Sequence, residues 1–470
     1  MDKQKNTILF YDLETTGLSG AFDQVLRFAA LRTDLELNEL ERSEINIRLR
    51  ADIVPSAGAL ITNRLSISDI AEGEHEYEAM LKIHSMFNKQ GTISTGYNNI
   101  SFDNEFLRYN FYRNLLDPYL HEWKENCGKM DIMPIALYYY LFKPGAIKWP
   151  DDNVDKKLRL ENLNAANNLS KGMAHDAMVD VEATVELARK LKQHDNRLWD
   201  QLTACFNKQD DLLSMNKLPV IEIDPITKCQ IGAMVNLQFG YKQNCIAPVI
   251  FLGNHVQYSN QQCWLRLDKI DFNIIANSDD FGKLIMSCVK RKIGQPKFLI
   301  SIDKTIKLHL GSERTILAEK NLQWIKGNSD LFSILSNEQR NRIYPERENL
   351  DLDASLYQSG FFSDEEKQHC IAFHKISNEG KINLIQKLPH ARIRELAIRI
   401  IGRNYPSLLS EKLLGEYKMS IGKREATNLQ GKKRKSLDDL TKEIKKLSLD
   451  DDLDGDQISI LTQIEEQYCK

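Results

Sequence analysis

The chain has 470 residues, which is too long for one compact core, so we expect two or three domains. Its composition, 42% apolar and 27% charged residues, is typical of a globular protein and excludes long disorder. No segment approaches the ~18 uninterrupted apolar residues of a membrane-spanning helix, so we expect no contact with a membrane.

The eight cysteines are scattered along the chain, and no two of them form a C-x-x-C pair. In a chain of this size the pattern predicts reduced, mostly buried thiols and a cytoplasmic protein. It supports neither a disulfide framework nor a zinc site.

The net charge of −3 is unevenly distributed. Residues 1–200 contain 24 Lys and Arg against 31 Asp and Glu, a balance of −7, and residues 201–380 contain 21 of each. Residues 381–450 contain 17 against 8, a balance of +9, and the last 20 residues return −5. An acidic module followed by a basic one suits an enzyme that needs carboxylates for metals and cations for a polyanion. Unevenly charged solvated faces would give the same pattern.

The first 200 residues alternate strand and helix patterns, which favours an α/β module. Short apolar runs predict strands, and apolar residues at helical spacing predict helices, the clearest of them over 176–191. The predicted strands cover 8–11, 25–33, 45–49 and 93–97, and the predicted helices cover 79–87, 103–115 and 176–191.

The pattern changes further along the chain. Short β-rich runs separated by turn residues occupy 218–345 and predict a small barrel-like or α+β domain. Residues 355–470 are predominantly helical in pattern, and the sequence Gly-Lys-Lys-Arg-Lys at 431–435 interrupts the helices as an expected exposed loop.

The strongest local motif is Asp-Leu-Glu-Thr-Thr-Gly at 12–17, at the end of the first predicted strand. Residues two apart on a strand face the same side, so Asp12 and Glu14 present their carboxylates together. Such carboxylates repel each other unless a cation neutralises them, and oxygen ligands suit Mg²⁺ or Mn²⁺. Taken alone, however, this spacing is common on protein surfaces.

Two further segments strengthen the interpretation. Asp103 lies where a predicted strand gives way to a helix, and His175 precedes Asp180 by five residues at the start of the strongest helix pattern. A lone histidine is usually structural and a helical aspartate is usually solvated. The combination, in this order along one α/β module, is much less expected by chance.

These elements, D-x-E-T-T-G, N-x-x-F-D and H-x-A-x-x-D, resemble those of the DEDDh superfamily of 3′→5′ exonucleases. Within that superfamily the chain resembles the bacterial exodeoxyribonuclease I family. One departure is Gln24-Val25, where that family tends to have Arg-Pro. The supporting stretches span the chain and include 28–34, 96–99, 111–114, 149–150, 158–161, 356–357, 360–364 and 403–406.

The resemblance implies a fold of three domains. Residues 1–200 are expected to form an α/β, ribonuclease-H-like exonuclease domain, and residues 201–350 an SH3-like α+β domain that clamps DNA. Residues 351–470 are expected to form an α-helical C-terminal domain. Together they would enclose the strand and permit processive degradation.

The resemblance also implies the catalytic roles. Asp12 would bridge two Mg²⁺ ions, for which Mn²⁺ could substitute, while Glu14 and Asp180 hold the ion that binds the attacking water. Asp103 would support the second ion, and His175 would take the proton from the water, which suits a side chain titrating near neutral pH. The reaction would release 5′-mononucleotides from single-stranded DNA during DNA repair and recombination.

Substrate contacts are assigned on the same basis. Glu14 and Arg159 are expected to bind the strand, Arg159 through a phosphate. Aromatic residues stack on bases in single-strand grooves, which makes candidates of Phe102, Phe111, Tyr112 and Trp149. The family also implies a monomer that binds the acidic C-terminal tail of single-stranded-DNA-binding protein, with the basic segment 381–450 as a suitable surface.

Two alternatives remain at this point. The superfamily includes RNA-trimming exonucleases, although these are typically a lone nuclease module and the metal chemistry does not distinguish the two sugars. A non-catalytic DNA-binding or scaffold protein on a retired nuclease fold is the second, and loss of a catalytic carboxylate or of the histidine would indicate it. All five residues are present.

Overall fold

The computed structural model describes residues 6–150, 157–172, 176–275, 281–295, 297–423 and 425–468. They divide into two compact units, one of residues 1–129, 169–186 and 346–470, the other of residues 130–168 and 187–345. Within the described ranges, no helix is long and apolar enough to cross a membrane. The three-domain boundaries at 200 and 350 stay a prediction.

Strands of 2–9 residues form the sheets of both units. The strands are β1 Thr7–Thr15, β2 Val25–Thr33, β3 Glu39–Asn46, β4 Thr92–Thr95, β5 Gly128–Lys129, β6 Val220–Glu222, β7 Lys228–Val235, β8 Ile246–Asn254, β9 Gln261–Arg266, β10 Cys288–Lys292 and β11 Phe298–Ile300.

Helices follow the strands in both units and make up most of the C-terminal segment. The helices are α1 Ala57–Thr62, α2 Ile67–Ala71, α3 Glu76–Phe87, α4 Asp103–Arg113, α5 Ile132–Phe142, α6 Leu160–Asn167, α7 Ala177–His194, α8 Asn196–Ala204, α9 Lys208–Asn216, α10 Phe281–Ile285, α11 Lys304–Leu310, α12 Ser312–Gly327, α13 Ser329–Asn341, α14 Asp364–Lys375, α15 Asn378–Ile385, α16 Ala391–Asn404, α17 Glu411–Ile421, α18 Leu437–Leu447 and α19 Gly455–Tyr468.

The sheet of the first unit has the strand order β3-β2-β1-β4-β5. Strand β1 runs antiparallel to β2 and parallel to β4, so the sheet is mixed. Successive side chains of the central strand β1 point to opposite faces of the sheet. Leu9, Tyr11 and Leu13 share one face, where they join a core with residues of α3 and α4. The alternation therefore directs Asp12 and Glu14 to the opposite face, and the predicted α/β character of this module is confirmed.

The strand predicted over 45–49 is wrong in extent, since β3 covers Glu39–Asn46. Most residues of β3 are exposed, and Ile45 is its one buried residue. An edge strand with charged residues on both faces has no hydrophobic alternation to reveal it.

The second unit contains an antiparallel sheet with the order β10-β9-β8-β7-β11, and β6 pairs with β7. Helices α12 and α13 bury Ile325, Phe332 and Leu335 against this sheet. The α+β character predicted for this segment is confirmed. The likeness to an SH3 domain stays a prediction.

The predicted helical character of the C-terminal segment is confirmed by α14–α19. Residues of α14 and α16, among them Phe373 and Leu396, share a core with Phe22, Tyr77 and Tyr112 of the preceding part of the unit. The seven described cysteines are free thiols and five of them are buried, while Cys469 lies outside the described residues.

Buried ion pairs connect the same two parts of the first unit. Arg50 contacts Asp52 at 2.9 Å and Glu76 at 2.7 Å, and Arg403 contacts Asp52 at 3.0 Å and Asp353 at 2.5 Å. Burial opposes ionisation of Asp52, but Arg403 and Arg50 outweigh it and hold the pKa of Asp52 below its usual range. The network extends further through Arg113, Arg399, Arg434 and Asp351.

Replacing Arg403 by methionine removes the cation that Asp52 and Asp353 share, without removing the volume of the side chain. Because breaking a buried pair leaves uncompensated charge, the free energy of unfolding should fall by about 3–5 kcal/mol. Urea unfolding followed by circular dichroism measures the change. Arg42→Met is the matched control, since the exposed Arg42 pairs with Glu39 and Glu182 on the surface and should cost less than ~1 kcal/mol. Equal losses in the two variants would contradict the role given to the network.

Candidate active site

Strand β1 places two carboxylates on the face of the sheet away from its main core. Glu14 is 6% exposed and Asp12 is partly buried. In the register of the sheet Asp12 lies opposite Ala29 and Glu14 opposite Arg27. The small side chain of Ala29 leaves space above Asp12, whereas Glu14 has a cation across the strand pair.

The third carboxylate is contributed by the start of α4. Asp103 is the first residue of this helix and is 7% exposed. The turn before the helix is closed by the Asn104 N–H, which donates to the Asn99 carbonyl at 2.9 Å. A carboxylate in the first turn is favoured by the positive end of the helix dipole.

The fourth carboxylate lies in the first turn of α7. Asp180 is partly buried, and its N–H donates to the Asp176 carbonyl at 3.0 Å. The Asp176 side chain accepts from the N–H groups of Met178 and Val179, so it caps the helix. His175, the predicted general base, lies outside the described residues.

The four carboxylates interact strongly with one another. Burial, followed by the charges of Asp103, Glu14 and Asp180, holds the pKa of Asp12 well above its usual range. Burial and the charges of Asp180 and Asp103 raise the pKa of Glu14 to about 9, although Arg27 opposes the shift. The structure therefore places Asp12, Glu14, Asp103 and Asp180 near enough for their charges to act on one another, and their catalytic and metal-binding roles stay a prediction.

This group of side chains fits a divalent cation. All four are carboxylates, the hard oxygen ligands that Mg²⁺ and Mn²⁺ prefer, and they come from three separate elements. A shared cation would stabilise the ionised form of each carboxylate, because like charges at close range otherwise oppose ionisation. A surface cluster of solvated acids would not show this mutual effect.

The turn after β1 is held by close contacts. A Cβ on Gly17 would lie 2.6 Å from Asp23 Oδ2, so a larger residue would displace the turn. The Asp23 carboxylate accepts from the Ser19 N–H at 2.8 Å and from the Thr16 hydroxyl at 3.2 Å. Gly17 of the motif thus has a steric role beside the site.

Gln24, at the departure from the family pattern, is fully buried and has a structural role. Its Nε2 donates to the Arg48 carbonyl at 2.7 Å, and its Oε1 accepts from the Arg50 N–H at 2.9 Å. The residue ties β2 to the segment after β3, so the departure changes the local packing.

Arg159 is exposed at the start of α6, in the second unit, and pairs with Glu161 at 3.5 Å. Among the aromatic candidates, Phe111 and Tyr112 are buried in the core and are not stacking surfaces. Phe102 packs on Phe106 with ring centroids 4.8 Å apart, and Trp149 packs on Tyr140 at 5.4 Å.

Sequence reasoning missed Arg27. Its guanidinium lies 3.7 Å from Asp176 Oδ2, donates to the Asn46 side chain at 3.2 Å, and lowers the pKa of Glu14. The residue stands beside the carboxylates only because β2 pairs with β1 in this register. No local motif indicates that pairing.

Comparison with known proteins identifies the family. The exonuclease family model matches residues 9–188, and the model of the exonuclease I C-terminal domain matches residues 350–470. Exodeoxyribonuclease I of Escherichia coli (strain K12) is 38% identical over 209 residues, a stretch that covers 44% of each chain. These matches make the chain similar to exodeoxyribonuclease I.

Solved structures of exonuclease I are similar to nearly the whole of this chain. The zinc-ion-bound form of the E. coli ExoI–ssDNA complex superposes with a TM-score of 0.83 and 25% identity, covering 99% of both chains. A complex of SSB and exonuclease I with the inhibitor CFAM superposes with a TM-score of 0.81 and 25% identity, also covering 99% of both. The resemblance inferred from the motifs is thus confirmed, and the protein is an exonuclease.

The raised pKa of Glu14 predicts how the stability of the metal-free protein responds to pH. A carboxyl whose pKa is higher in the folded state stabilises the fold at low pH, and this stability is lost as pH rises toward the folded pKa of about 9. At pH 8 in EDTA, the free energy of unfolding of Glu14→Gln should therefore exceed that of the parent protein by more than about 1 kcal/mol.

The measurement is urea unfolding of both proteins at pH 5 and pH 8, with EDTA or with Mg²⁺. The difference in free energy of unfolding between Glu14→Gln and the parent protein should increase from pH 5 to pH 8 in EDTA. It should decrease when Mg²⁺ is added. Glu44→Gln is the matched control, because Glu44 is exposed on the edge strand β3. A parent protein more stable than Glu14→Gln at pH 8 in EDTA would refute the electrostatic account.

Proposed function

We propose that the protein removes 5′-mononucleotides stepwise from the 3′ end of single-stranded DNA, by two-metal-ion hydrolysis. The supporting observation is the group of four carboxylates from β1, α4 and α7, whose buried members favour their protonated forms in the absence of a cation. In this family the activity belongs to DNA repair and recombination, and we propose that setting for this chain.

Each step of the reaction is assigned to a residue. Asp12, Glu14, Asp103 and Asp180 would hold two Mg²⁺ ions, with Mn²⁺ as a substitute. When bound, such ions stabilise the attacking and leaving oxygens of an in-line displacement at phosphorus. His175 would accept the proton of the attacking water as its oxygen bonds to phosphorus. The bond from phosphorus to the 3′ oxygen then breaks, and the 3′ oxygen takes a proton from solvent.

The two alternatives predict different behaviour. A retired nuclease fold would bind single strands without hydrolysing them. An RNA-trimming enzyme would hydrolyse RNA in preference to DNA, with the same carboxylates. The presence of all four carboxylates and of His175 in the sequence favours a working enzyme.

Asp180→Ala should abolish release of mononucleotides, because it removes a ligand that sits among three other acids. His175→Ala should lower kcat by about 10²–10⁴-fold, the usual contribution of a general base. The assay follows 3′-labelled and 5′-labelled single-stranded DNA, duplex DNA and RNA, with Mg²⁺ or EDTA. Products should appear only from the 3′ end of single-stranded DNA and only with Mg²⁺.

Asp176→Asn is the matched control in the same segment. Asparagine keeps the helix cap to Met178 and Val179, so this variant should retain most of the activity. Hydrolysis of RNA alone would assign the RNA-trimming function. Intact binding of single strands without hydrolysis of any substrate would leave the scaffold alternative.

We further propose that Arg159 binds a phosphate of the strand. Its side chain is 56% exposed, and its partner Glu161 lies at 3.5 Å, so a phosphate can replace that contact. Arg159→Ala should weaken the binding of an oligonucleotide and reduce the slope of log Kd against log salt by about 0.7, the value for one phosphate on a single strand. Fluorescence anisotropy in EDTA at several salt concentrations measures both, with the exposed Arg197→Ala of α8 as control. Unchanged slopes in both variants would reject the assignment.

We propose the acidic tail of single-stranded-DNA-binding protein as a partner. The complex of SSB with exonuclease I supports this for the family. Part of the +9 charge of segment 381–450 is not available on the surface, because Arg399 and Arg403 are buried in ion pairs. The exposed lysines of α18, Lys442, Lys445 and Lys446, are three of the cations that remain available on one helix, and we assign the contact with the tail to them.

A labelled peptide with the acidic tail sequence tests this proposal. The double charge reversal Lys442→Glu and Lys446→Glu should weaken peptide binding by about tenfold or more, since like charges at a contact cost several kcal/mol at close range. Lys326→Glu, on the exposed surface of α12, should leave the affinity unchanged. If the double variant binds as well as the parent protein, the tail does not use α18.

A further inference from the structure

Two imidazoles and a carboxylate lie together in the C-terminal helical segment. Glu365 and His369 are four residues apart on α14, so they share one face of that helix. His390 immediately precedes α16, and its side chain makes no capping hydrogen bond there. The potential ligand atoms of the three residues all lie within 4.8 Å of one another.

The nitrogens of this cluster lack ordinary partners. Nδ1 of His369 and Nε2 of His390 are buried and have no hydrogen-bond partner within the described part of the chain. His390 Nε2 is 3.5 Å from Glu365 Oε2, which is too long for a strong hydrogen bond, and the two rings lie 5.6 Å apart. Buried polar atoms without partners are rare in folded proteins, so these atoms point to a missing ligand.

The neighbouring charges are already compensated. Glu366 accepts from Arg392 at 2.5 Å and from the Ser363 N–H at 2.8 Å. Asp364 lies 3.6 Å from Lys367. Among the described ion pairs, no arginine or lysine contacts Glu365, and its charged partner there is His390.

We propose that Glu365, His369 and His390 bind a Zn²⁺-class transition-metal ion, separate from the carboxylate site of the reaction. Two imidazoles and one carboxylate, with a water in the remaining position, form a ligand set that Zn²⁺ accepts and that Mg²⁺ and Ca²⁺ do not prefer. Bond lengths near 2.0–2.2 Å place tetrahedral ligands about 3.3 Å apart, close to the 3.5 Å between Glu365 and His390. The ion would join the first turns of α14 to the start of α16. Because the site contains no cysteine, the pattern of cysteines does not reveal it.

The test measures Zn²⁺ binding by the full chain, first stripped with a chelator and then held in excess Mg²⁺ so that the carboxylate site is occupied by its own ion. Competition with a chromophoric chelator should reveal one tightly held Zn²⁺, and Zn²⁺ should raise the thermal midpoint of unfolding. His369→Gln and His390→Gln should each weaken Zn²⁺ binding by about tenfold or more and remove the rise. Exonuclease activity in Mg²⁺ should stay unchanged in both.

Matched controls separate this site from other histidines and acids. His194→Gln, at the exposed end of α7, and Asp364→Asn, beside Glu365, should retain the ion. If either histidine variant unfolds at a lower midpoint without metal, the exposed Glu365→Gln gives the decisive comparison, with the same expected loss of Zn²⁺ affinity. Glu14→Gln should bind this Zn²⁺ like the parent protein, whatever becomes of the proposed reaction. Failure of the parent protein to hold Zn²⁺ in excess Mg²⁺, or equal retention by all variants, would overturn the proposal.

Discussion

The first unit depends on a buried network of arginines and carboxylates that joins residues far apart in the sequence. Arg403 of α16 contacts Asp52 and Asp353, and Arg50 continues the network to Glu76. Charges removed from water are tolerated only when each one is paired with good geometry, so the partners must all be in place together. This requirement makes the C-terminal segment part of the same folded body as the nuclease sheet, because neither could bury its half of the network alone.

In the carboxylate site of the same unit, by contrast, the acidic side chains are not each paired with a cation from the described residues. The partly buried Asp12 and the buried Glu14 lie beside further acids, and Arg27 only partly offsets the rise in the pKa of Glu14. Carboxyl groups whose pKa is raised in this way are typical of functional sites, where a bound cation supplies the positive charge that the protein lacks.

Much of this could be predicted from the sequence, because the informative signals were local. The two-residue period of β1 placed Asp12 and Glu14 on one face, and helix patterns located α4 and α7 with their acids. The predictions failed where the information is not local. Strand β3 is exposed and has no apolar alternation, Arg27 reaches the site through strand register, and His369 meets His390 through the packing of two helices. His175 lies outside the described residues, so its role stays a prediction.

Helices α18 and α19, near the end of the sequence, pack against α1, near its beginning. Glu443 of α18 accepts hydrogen bonds from the Ser56 hydroxyl at 2.6 Å and from the N–H groups of Ala57 and Gly58 at 3.2 Å, at the start of α1. Leu440 and Ile464 share a core with Leu60 of α1. During synthesis on the ribosome, α1 keeps its own Ser56 cap but lacks the contacts with Glu443, Leu440 and Ile464 until α18 and α19 have emerged. The residues that complete the surroundings of α1 are therefore among the last of the sequence to be synthesised.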